Sequence, residues 1–279
     1  MFRGFYTVAS GMIAQQRRTE MLTNNMANVN TPGFKAEQSS IRSFPEMFMS
    51  SVQGMHIPTE KGLNLKGIMP HGPISTGVYM QETLPSFVQG QLLMTEFTTD
   101  VALVDGALPV DEETGIQGTL FFTLDDGNGG QYYTRNGNFS MDANGYLTNP
   151  AGYFVLDNNG ERIQLESDDF QVSDAGVIIE NNNPIATLGI AFSDRPDTLL
   201  KQGDGLFITE NRQNLDGIDT VPNATYLIRQ GYIEGSNVDA ERTMTDMMTA
   251  FRAFEANQKI LQAYDRSMEK AVSEIGRVM

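Results

Sequence analysis

Histidine and cysteine, two residue types that often bind metals or act in catalysis, are scarce or missing in this chain, and the spacing of the histidines suits neither role. The two histidines, His56 and His71, stand fifteen residues apart, and the chain has no cysteine. The lack of cysteine excludes thiolate zinc sites, a disulfide framework and a cysteine nucleophile. Two histidines at this separation need further ligands to hold a metal, so we expect both to be structural or solvent-exposed.

Two clusters of acidic and amide side chains have the composition of a calcium site. They read DDGN at 125–128 and DNNG at 157–160. Neither has the alternating oxygen ligands and the glutamate at position twelve that an EF-hand calcium loop requires. We therefore interpret both clusters as hairpin turns.

Signatures of other enzyme classes are missing from the sequence. There is no G-x-S-x-G motif, Walker loop or dinucleotide-binding fingerprint. Carboxylates are numerous, but the sequence singles out no pair as the acid and base of a glycosidase. We predict no enzymatic activity, no catalytic residues, no cofactor and no metal.

Charge is distributed unevenly along the 279 residues. The net charge is −16, and residues 67–237 alone carry −18, against +3 for 1–66 and −1 for 238–279. An acidic surface repels nucleic acid, so we predict no nucleic-acid partner. The sequence contains no run of 18 apolar residues, so we predict no direct membrane insertion. The first twenty residues also lack the apolar core and cleavage site of a secretory signal.

The elements at the two ends of the chain are predicted to be helices. Apolar residues recur near helical spacing from Phe2 to Met26, which predicts a helix over about 2–27. Gly4 and Gly11 each lower its intrinsic stability by about 1 kcal/mol relative to alanine. This helix would be marginally stable on its own.

The C-terminal segment has the heptad pattern of a coiled coil, which predicts a long helix from Val238. Nine of the eleven a and d positions are apolar, and the two polar ones can set register or partner choice. A helix of this length has only the N-terminal helix as a partner of matching type, so we predict that the two pair with each other and with copies of themselves. The a and d positions are Met244, Met247, Phe251, Phe254, Gln258, Leu261, Asp265, Met268, Val272, Ile275 and Met279.

The region between the helices is predicted to be rich in β-structure. Short β-type runs such as TLFFTL, GVIIE and TYLIRQGYIE alternate with Gly, Asn and Asp turns over 79–233. Asn136-Gly137, Asn144-Gly145 and Asn159-Gly160 suit tight turns with positive φ.

The predicted fold class is α+β, with long N- and C-terminal helices pairing as a coiled coil around a central all-β domain. Residues 1–35 hold the N-terminal helix and an Asn-rich motif, and they form an axial core with the helix of 235–279. Residues 36–78 are an extended connector, and 79–234 are the β domain.

The Asn-rich motif reads NNMANVNTPGFK at 24–35. Asn24 and Asn25 can end the first helix, and Pro32-Gly33 suits a turn with proline at its first central position and glycine at its second. Capping a helix needs one or two such residues, whereas this motif has four asparagines.

The motif closely resembles the N-terminal signature of flagellar basal-body rod and hook proteins. A second motif, QGYIEGSNVDAERTMTDMMTAFRAFEANQKILQAYD at 230–265, is similar to the C-terminal signature of the same family. Between them, 133–156 resembles the central repeat of rod proteins with an inserted β domain, and 89–106 resembles the stretch that leads into it. One departure is the segment 107–119, which separates Asp105-Gly106 from the aromatic pair that usually follows directly.

The resemblance implies a structural subunit of the bacterial flagellar basal-body rod, exported through the flagellar export apparatus without a cleaved signal peptide. Its terminal helices would polymerise helically near the export channel and transmit torque, with the β domain outside. Its partners would be other rod and hook subunits and copies of itself. Length and layout favour the rod type over a hook-type axial protein. The layout alone also fits a β-rich surface-binding module on a coiled-coil stalk, and a cell-wall enzyme is the third alternative.

The surplus amides of the Asn-rich motif are interpreted as hydrogen-bonding groups between subunits, alongside the start of the second helix. Removal of 1–35 and 238–279 is expected to leave a soluble β monomer. The predicted assembly interface consists of Asn24, Asn25, Asn28, Asn30, Pro32, Gly33, Ser236, Asn237, Met247, Phe251, Phe254, Gln258 and Leu261.

Overall fold

The computed structural model describes the backbone of residues 2–57, 63–111, 115–127, 129–222 and 224–275. The side chains of His56 and His71, and the whole of Asn128, lie outside the described residues. The predictions made for these three residues therefore stay predictions.

The chain divides into two compact units. Unit 1 comprises Met1–Asn24, Gln38–Thr83 and Glu241–Met279, and unit 2 comprises Asn25–Glu37 and Leu84–Ala240. The boundaries of these units differ from the predicted domain boundaries. In particular, the Asn-rich motif belongs to the β-rich unit from Asn25 onward.

Both predicted helices are present. Helix α1 spans Phe2–Ala27, as the apolar period predicts. Helix α2 spans Ala240–Lys270 and continues as a π-helical segment over Ala271–Ile275. The second helix thus begins two residues later than predicted.

The two helices contact each other within unit 1 and run in opposite directions. Tyr264 lies against the backbone of Gly4, and its Oη occupies the space that a Cβ would need there. One heptad further along α1, a Cβ on Gly11 would lie 3.2 Å from Asn257 Nδ2. The glycines that lower the intrinsic stability of α1 are therefore the positions where polar side chains of α2 approach its backbone.

The same antiparallel order continues toward the other end of α1. Arg18 and Asp246 form a half-exposed ion pair at 3.6 Å, and Thr23 Oγ1 lies 3.7 Å from Met247 Sδ. A small apolar cluster lies at this end of the helix pair. It consists of Met21, Leu22, Met80, Met247 and Ala250. These contacts join the helices, while their supercoiling as a coiled coil stays a prediction.

The predicted connector contains strands. Its elements are β1 (Glu37–Gln38), β2 (Ile41–Ser43), β3 (Met47–Ile57), β4 (Leu63–Ile74) and β5 (Val78–Met80). β3 pairs with β4 and β2 pairs with β5, both antiparallel. The sequence shows no clear periodicity here and did not predict this pairing.

Unit 2 is built from short strands, as predicted, and its described helices are two single 3-10 turns, Pro196–Thr198 and Ile218–Thr220. The strands are β6 (Leu84–Pro85), β7 (Leu92–Met94), β8 (Val101–Asp105), β9 (Thr119–Asp125), β10 (Gln131–Thr134), β11 (Ser140–Met141), β12 (Leu147–Thr148), β13 (Gln171–Val172), β14 (Val177–Glu180), β15 (Asn183–Thr187), β16 (Ile190–Ser193), β17 (Leu200–Gly203), β18 (Leu206–Ile208), β19 (Asp216–Gly217), β20 (Tyr226–Gln230) and β21 (Tyr232–Glu234).

The largest sheet has six strands in the order β17-β18-β10-β9-β16-β19, and neighbouring strands are antiparallel. Two separate two-stranded sheets carry residues of the candidate functional site described in the next subsection. β8 pairs with β20, and Asp105 lies opposite Tyr226. β7 pairs with β21, and Glu234 lies opposite Leu92.

The central strand β9 is buried on both faces, which explains why four of the six residues in TLFFTL are large and apolar. Successive side chains of a strand point to opposite faces. Leu120, Phe122 and Leu124 accordingly lie in the main core, while Phe121 packs in a second cluster with Tyr133 and with other residues.

The predicted turns are mostly confirmed. Gly145 and Gly160 have φ values of 83° and 82°, whereas Gly137 does not have a positive φ. Gly137 is required for another reason, since a Cβ there would collide with the carbonyl oxygen of Val101. The described residues of both acidic clusters follow the predicted turns, in which Asp125 Oδ1 accepts a hydrogen bond from the Gly127 amide and Asp157 Oδ1 accepts one from the Asn159 amide, each at 2.8 Å.

The unusual segment 107–119 contributes to the core. Leu108 is buried in the main apolar cluster. Val110 forms a bridge with Gln117, and the Asp111 amide donates to the Ile116 carbonyl at 2.9 Å. The described part of the insertion therefore folds back on itself as a small loop.

Candidate functional site: the junction of the terminal motifs

Four charged side chains from four distant segments meet inside unit 2. We call Lys35, Asp105, Arg135 and Glu234 the ion network. Lys35 Nζ lies 2.7 Å from Glu234 Oε1. Arg135 Nε lies 2.8 Å from Glu234 Oε2, and Arg135 Nη1 lies 2.7 Å from Asp105 Oδ1. Lys35, Arg135 and Glu234 are almost completely buried, and Asp105 is only slightly exposed.

Backbone groups add further hydrogen bonds to the ion network. Glu234 Oε1 also accepts from the Gly90 amide at 2.8 Å. Lys35 Nζ donates to the Val88 carbonyl at 2.9 Å, and Arg135 Nη1 donates to the Leu120 carbonyl at 3.0 Å. Buried charges are tolerated only when they are paired and hydrogen-bonded in this way.

The charges of the ion network balance, with two cations and two anions. Burial alone would raise the pKa of the Glu234 carboxyl, but the nearby charges of Arg135 and Lys35 outweigh it and hold that pKa below its usual value. Burial, assisted by repulsion from Arg135, lowers the pKa of Lys35 although Glu234 opposes the shift. Burial opposes the charge of Arg135, but Glu234 and Asp105 more than compensate and raise its pKa. Glu234 is thus the common partner of both cations.

A tight turn brings the Asn-rich motif to the ion network. The Phe34 amide donates to the Thr31 carbonyl at 3.2 Å across Pro32-Gly33, and Gly33 has a φ of 68°, as the predicted turn requires. The Gly33 amide donates to the Glu234 carbonyl at 2.7 Å. A Cβ on Gly33 would lie 2.7 Å from the carbonyl carbon of Arg135, so the turn packs directly on the central repeat.

Two asparagines of the predicted interface are used inside the chain. Asn25 is buried, its Nδ2 donates to the Glu37 carbonyl at 2.8 Å and its Oδ1 accepts from the Glu37 amide at 2.9 Å. Asn237 Oδ1 accepts from the Ala36 amide at 2.7 Å, and its Nδ2 donates to the Ser86 carbonyl at 2.7 Å. These amides are not surplus groups, because both hold the backbone that follows the Asn-rich motif.

The remaining members of the predicted interface outside α2 have the following environments. Asn24 and Asn30 are exposed. Asn28 Oδ1 accepts from Thr31 Oγ1 at 3.1 Å, and Ser236 Oγ accepts from the Val238 amide at 3.3 Å. Pro32 is half-buried in the turn. Their role between subunits stays a prediction.

Within the chain, only part of the predicted heptad seam lies against α1, and the role of the seam between subunits stays a prediction. The d positions Met247, Phe254 and Leu261 are half-buried, but the predicted a positions Phe251 and Gln258 are exposed. The column that faces α1 lies one residue earlier, and it consists of Thr243, Ala250, Asn257 and Tyr264. The physical reason is the shape of α1, whose glycines accept Tyr264 and Asn257 and whose small apolar cluster accepts Ala250.

Reasoning from sequence did not find the ion network. Lys35, Arg135 and Glu234 all lie within the motifs of the resemblance, and Asp105 lies one residue before the end of the 89–106 stretch. The one available signal is Arg135, an arginine directly after a strand with an apolar face. Its carboxylate partners are 30 and 99 residues away in sequence, so no local pattern relates them.

No group of three or more His, Cys, Asp or Glu side chains within the described ranges is arranged to hold a metal ion. Among the described helices, none combines the length and apolarity needed to cross a membrane.

These features define a class of protein: a chain whose first and last helices contact each other and whose terminal motifs are joined on a β unit. Comparisons with known families agree with the motifs. The family described as "Flagella basal body rod protein" matches 5–35, and "Flagellar hook protein FlgE/F/G D1 domain" matches 115–180. "Flagellar basal body rod FlgEFG protein C-terminal" matches 229–274.

Relatives match the chain over almost its whole length. The flagellar hook-basal body complex protein FlhO of Bacillus subtilis is 38% identical over 278 residues and covers 100% of both chains. The flagellar basal-body rod protein FlgG of Borreliella burgdorferi is 30% identical and covers 96% of this chain and 97% of its own. The chain belongs to the flagellar basal-body rod and hook protein family, a structural family of the flagellum.

Proposed function

We propose that this protein is a structural subunit of the flagellar basal-body rod. It polymerises helically through α1 and α2, transmits torque and forms part of the export channel. The observation that carries the proposal is the antiparallel contact of α1 and α2, which leaves large apolar side chains of both helices exposed. The relatives named as rod proteins support the assignment to the rod.

Export without a cleaved signal peptide, through the flagellar export apparatus, belongs to the same proposal. A chain without cysteine cannot form disulfides before or during passage through a narrow pore. An isolated α1 of marginal stability also suits a segment that orders on assembly. No chemistry is assigned to the subunit, since the sequence singles out no nucleophile or carboxylate pair for a cell-wall enzyme.

Two alternative functions predict different assembly behaviour for this chain. A hook-type axial protein would assemble beyond the rod, and the relative named for the hook-basal body complex favours keeping it as the second candidate. A β-rich surface-binding module on a stalk would bind its target as a monomer or small oligomer and would not form a filament.

The experiment compares the full chain with a variant that consists of residues 25–240. This variant keeps the whole ion network, because it contains both segments of unit 2, Asn25–Glu37 and Leu84–Ala240, together with Gln38–Thr83 of unit 1. Sedimentation velocity is expected to show concentration-dependent assembly of the full chain, alone or with other rod subunits, and a monomeric variant. Assembly that is unchanged without the helices would contradict the proposal. Electron cryomicroscopy of basal bodies from a strain that lacks the protein then separates rod from hook.

A further inference from the structure

Each terminal helix exposes an apolar stripe that its partner helix in the same chain does not cover. On α2 the stripe consists of Met244, Met248 and Phe251, which are 52%, 45% and 53% exposed. On α1 it consists of Tyr6 and Ile13, which are 65% and 50% exposed. We call these the α2 stripe and the α1 stripe.

The two stripes match each other in spacing. Met244 and Phe251 are one heptad apart, as are Tyr6 and Ile13, so each pair spans about 10.5 Å along its helix. The stripes lie on different faces of unit 1, since α1 meets α2 through Gly4, Gly11 and Arg18. Tyr6 and Ile13 stand two residues beyond those glycines and thus on the opposite side of α1.

We propose that the α2 stripe of one copy packs on the α1 stripe of the next copy, with the helices antiparallel. This inference rests on the proposed function, in which copies assemble into a polar filament. All copies in such a filament point the same way, so α1 of one copy runs antiparallel to α2 of its neighbour, as it does to its own α2. A contact between two different surfaces leaves one of each surface free at the two ends of an assembly, so it extends into an open filament when its rotation does not close a ring.

The antiparallel register places Phe251 beside Tyr6 and Met244 beside Ile13. It places Met248 beside Ala9, whose small side chain leaves room for the methionine. The same register brings Arg17, one turn beyond Ile13, next to Glu241, which precedes Met244. Both of these charged side chains are exposed. Opposite charges at the end of a matched apolar contact fix its register and direction.

The absence of cysteine in the sequence makes crosslinking a direct test. Full-length single-cysteine variants are mixed in pairs, one of them with an affinity tag, under conditions in which the wild-type chain assembles. A bismaleimide crosslinker shorter than the ~10 Å axial offset of one heptad is then added. Tyr6→Cys with Phe251→Cys, and Ile13→Cys with Met244→Cys, are expected to form several-fold more crosslinked heterodimer than the mismatched pairs Tyr6→Cys with Met244→Cys and Ile13→Cys with Phe251→Cys.

Charge reversal supplies a second readout on the same surface. Arg17→Glu and Glu241→Arg are each expected to reduce assembly, and the double variant is expected to restore it. Equal crosslinking of matched and mismatched pairs, or no rescue in the double variant, overturns this contact while leaving assembly through the helices intact. A wild-type chain that stays monomeric, even with other rod subunits, overturns the proposed function and this contact together.

Discussion

Lys35 and Glu234 form a buried ion pair of 2.7 Å although 199 residues separate them in the sequence. The first belongs to the N-terminal signature and the second to the C-terminal signature, and Arg135 of the central repeat completes the contact from the other side. Three motifs that identify the family therefore also hold one another in place within unit 2.

Removal of the Glu234 carboxylate should strongly destabilise unit 2. Glu234→Gln leaves Lys35 and Arg135 buried with Asp105 as their only acidic partner, and breaking a buried ion pair on one side typically costs about 3–5 kcal/mol. Urea unfolding of the full chain measures the loss in the free energy of unfolding. The matched control is Glu210→Gln on the surface, expected within ~0.5 kcal/mol of wild type. Equal effects of the two substitutions would mean that the ion network contributes nothing.

Acidification should weaken unit 2 through the same carboxylate. Because the pKa of Glu234 is lower in the folded chain than in the unfolded chain, the folded state binds fewer protons and stability rises with pH. The contribution is complete above the unfolded value of about 4.3 and is lost as the pH falls through the lower folded value. Unfolding measured from about pH 6 downward should show a steeper loss in wild type than in Glu234→Gln. Parallel curves would speak against this linkage.

Gly33→Ala should destabilise the chain by more than its positive φ explains. Its Cβ would meet the backbone of Arg135 and Asn136, which cannot move without disturbing the ion network. Gly205→Ala is the matched control, because Gly205 has a φ of 71° but nothing within 4 Å of an added Cβ. Strain at the control position alone should cost on the order of 1 kcal/mol. The difference in unfolding free energy between the two variants measures the steric contact, and a difference of zero would disprove it.

Gly4→Ala should weaken the contact between α1 and α2, although alanine is the better helix former by about 1 kcal/mol. The new Cβ would collide with Tyr264 Oη. Hydrogen exchange of α1 and α2 amides is expected to accelerate in Gly4→Ala and to recover in part when Tyr264→Phe removes the hydroxyl. Slower exchange in the single variant would show that helix propensity decides and that Tyr264 moves aside freely.

The asparagines of the N-terminal motif should separate into two functional groups. Asn25→Ala leaves the Glu37 amide and carbonyl without their partners, and leaving a buried polar group unsatisfied typically costs about 1–3 kcal/mol. Asn30→Ala, at an exposed position, should change the unfolding free energy by less than ~0.5 kcal/mol and reduce assembly. Unfolding and sedimentation of both variants test this separation, and a loss of stability in Asn30→Ala would contradict it.

The sequence by itself determined the two helices, the β-rich region between them and the family. The 3.6-residue apolar period located α1 at Phe2–Ala27, because a helix that buries one face must repeat at that interval. Alternating β-type runs and turn dipeptides predicted the β unit, because turn chemistry is local. The signatures at both ends are themselves local strings, so they identified the family directly.

Tertiary structure alone decided which side chains meet. The partners of the ion network lie between 30 and 199 residues apart, and the sequence contains many other charges that could have paired. The heptad pattern allowed two neighbouring columns of α2 to face α1, and the glycines of α1 selected the column of Ala250 over that of Phe251. Burial and pairing over such distances depend on how the whole chain packs, and local periodicity carries no information about that packing.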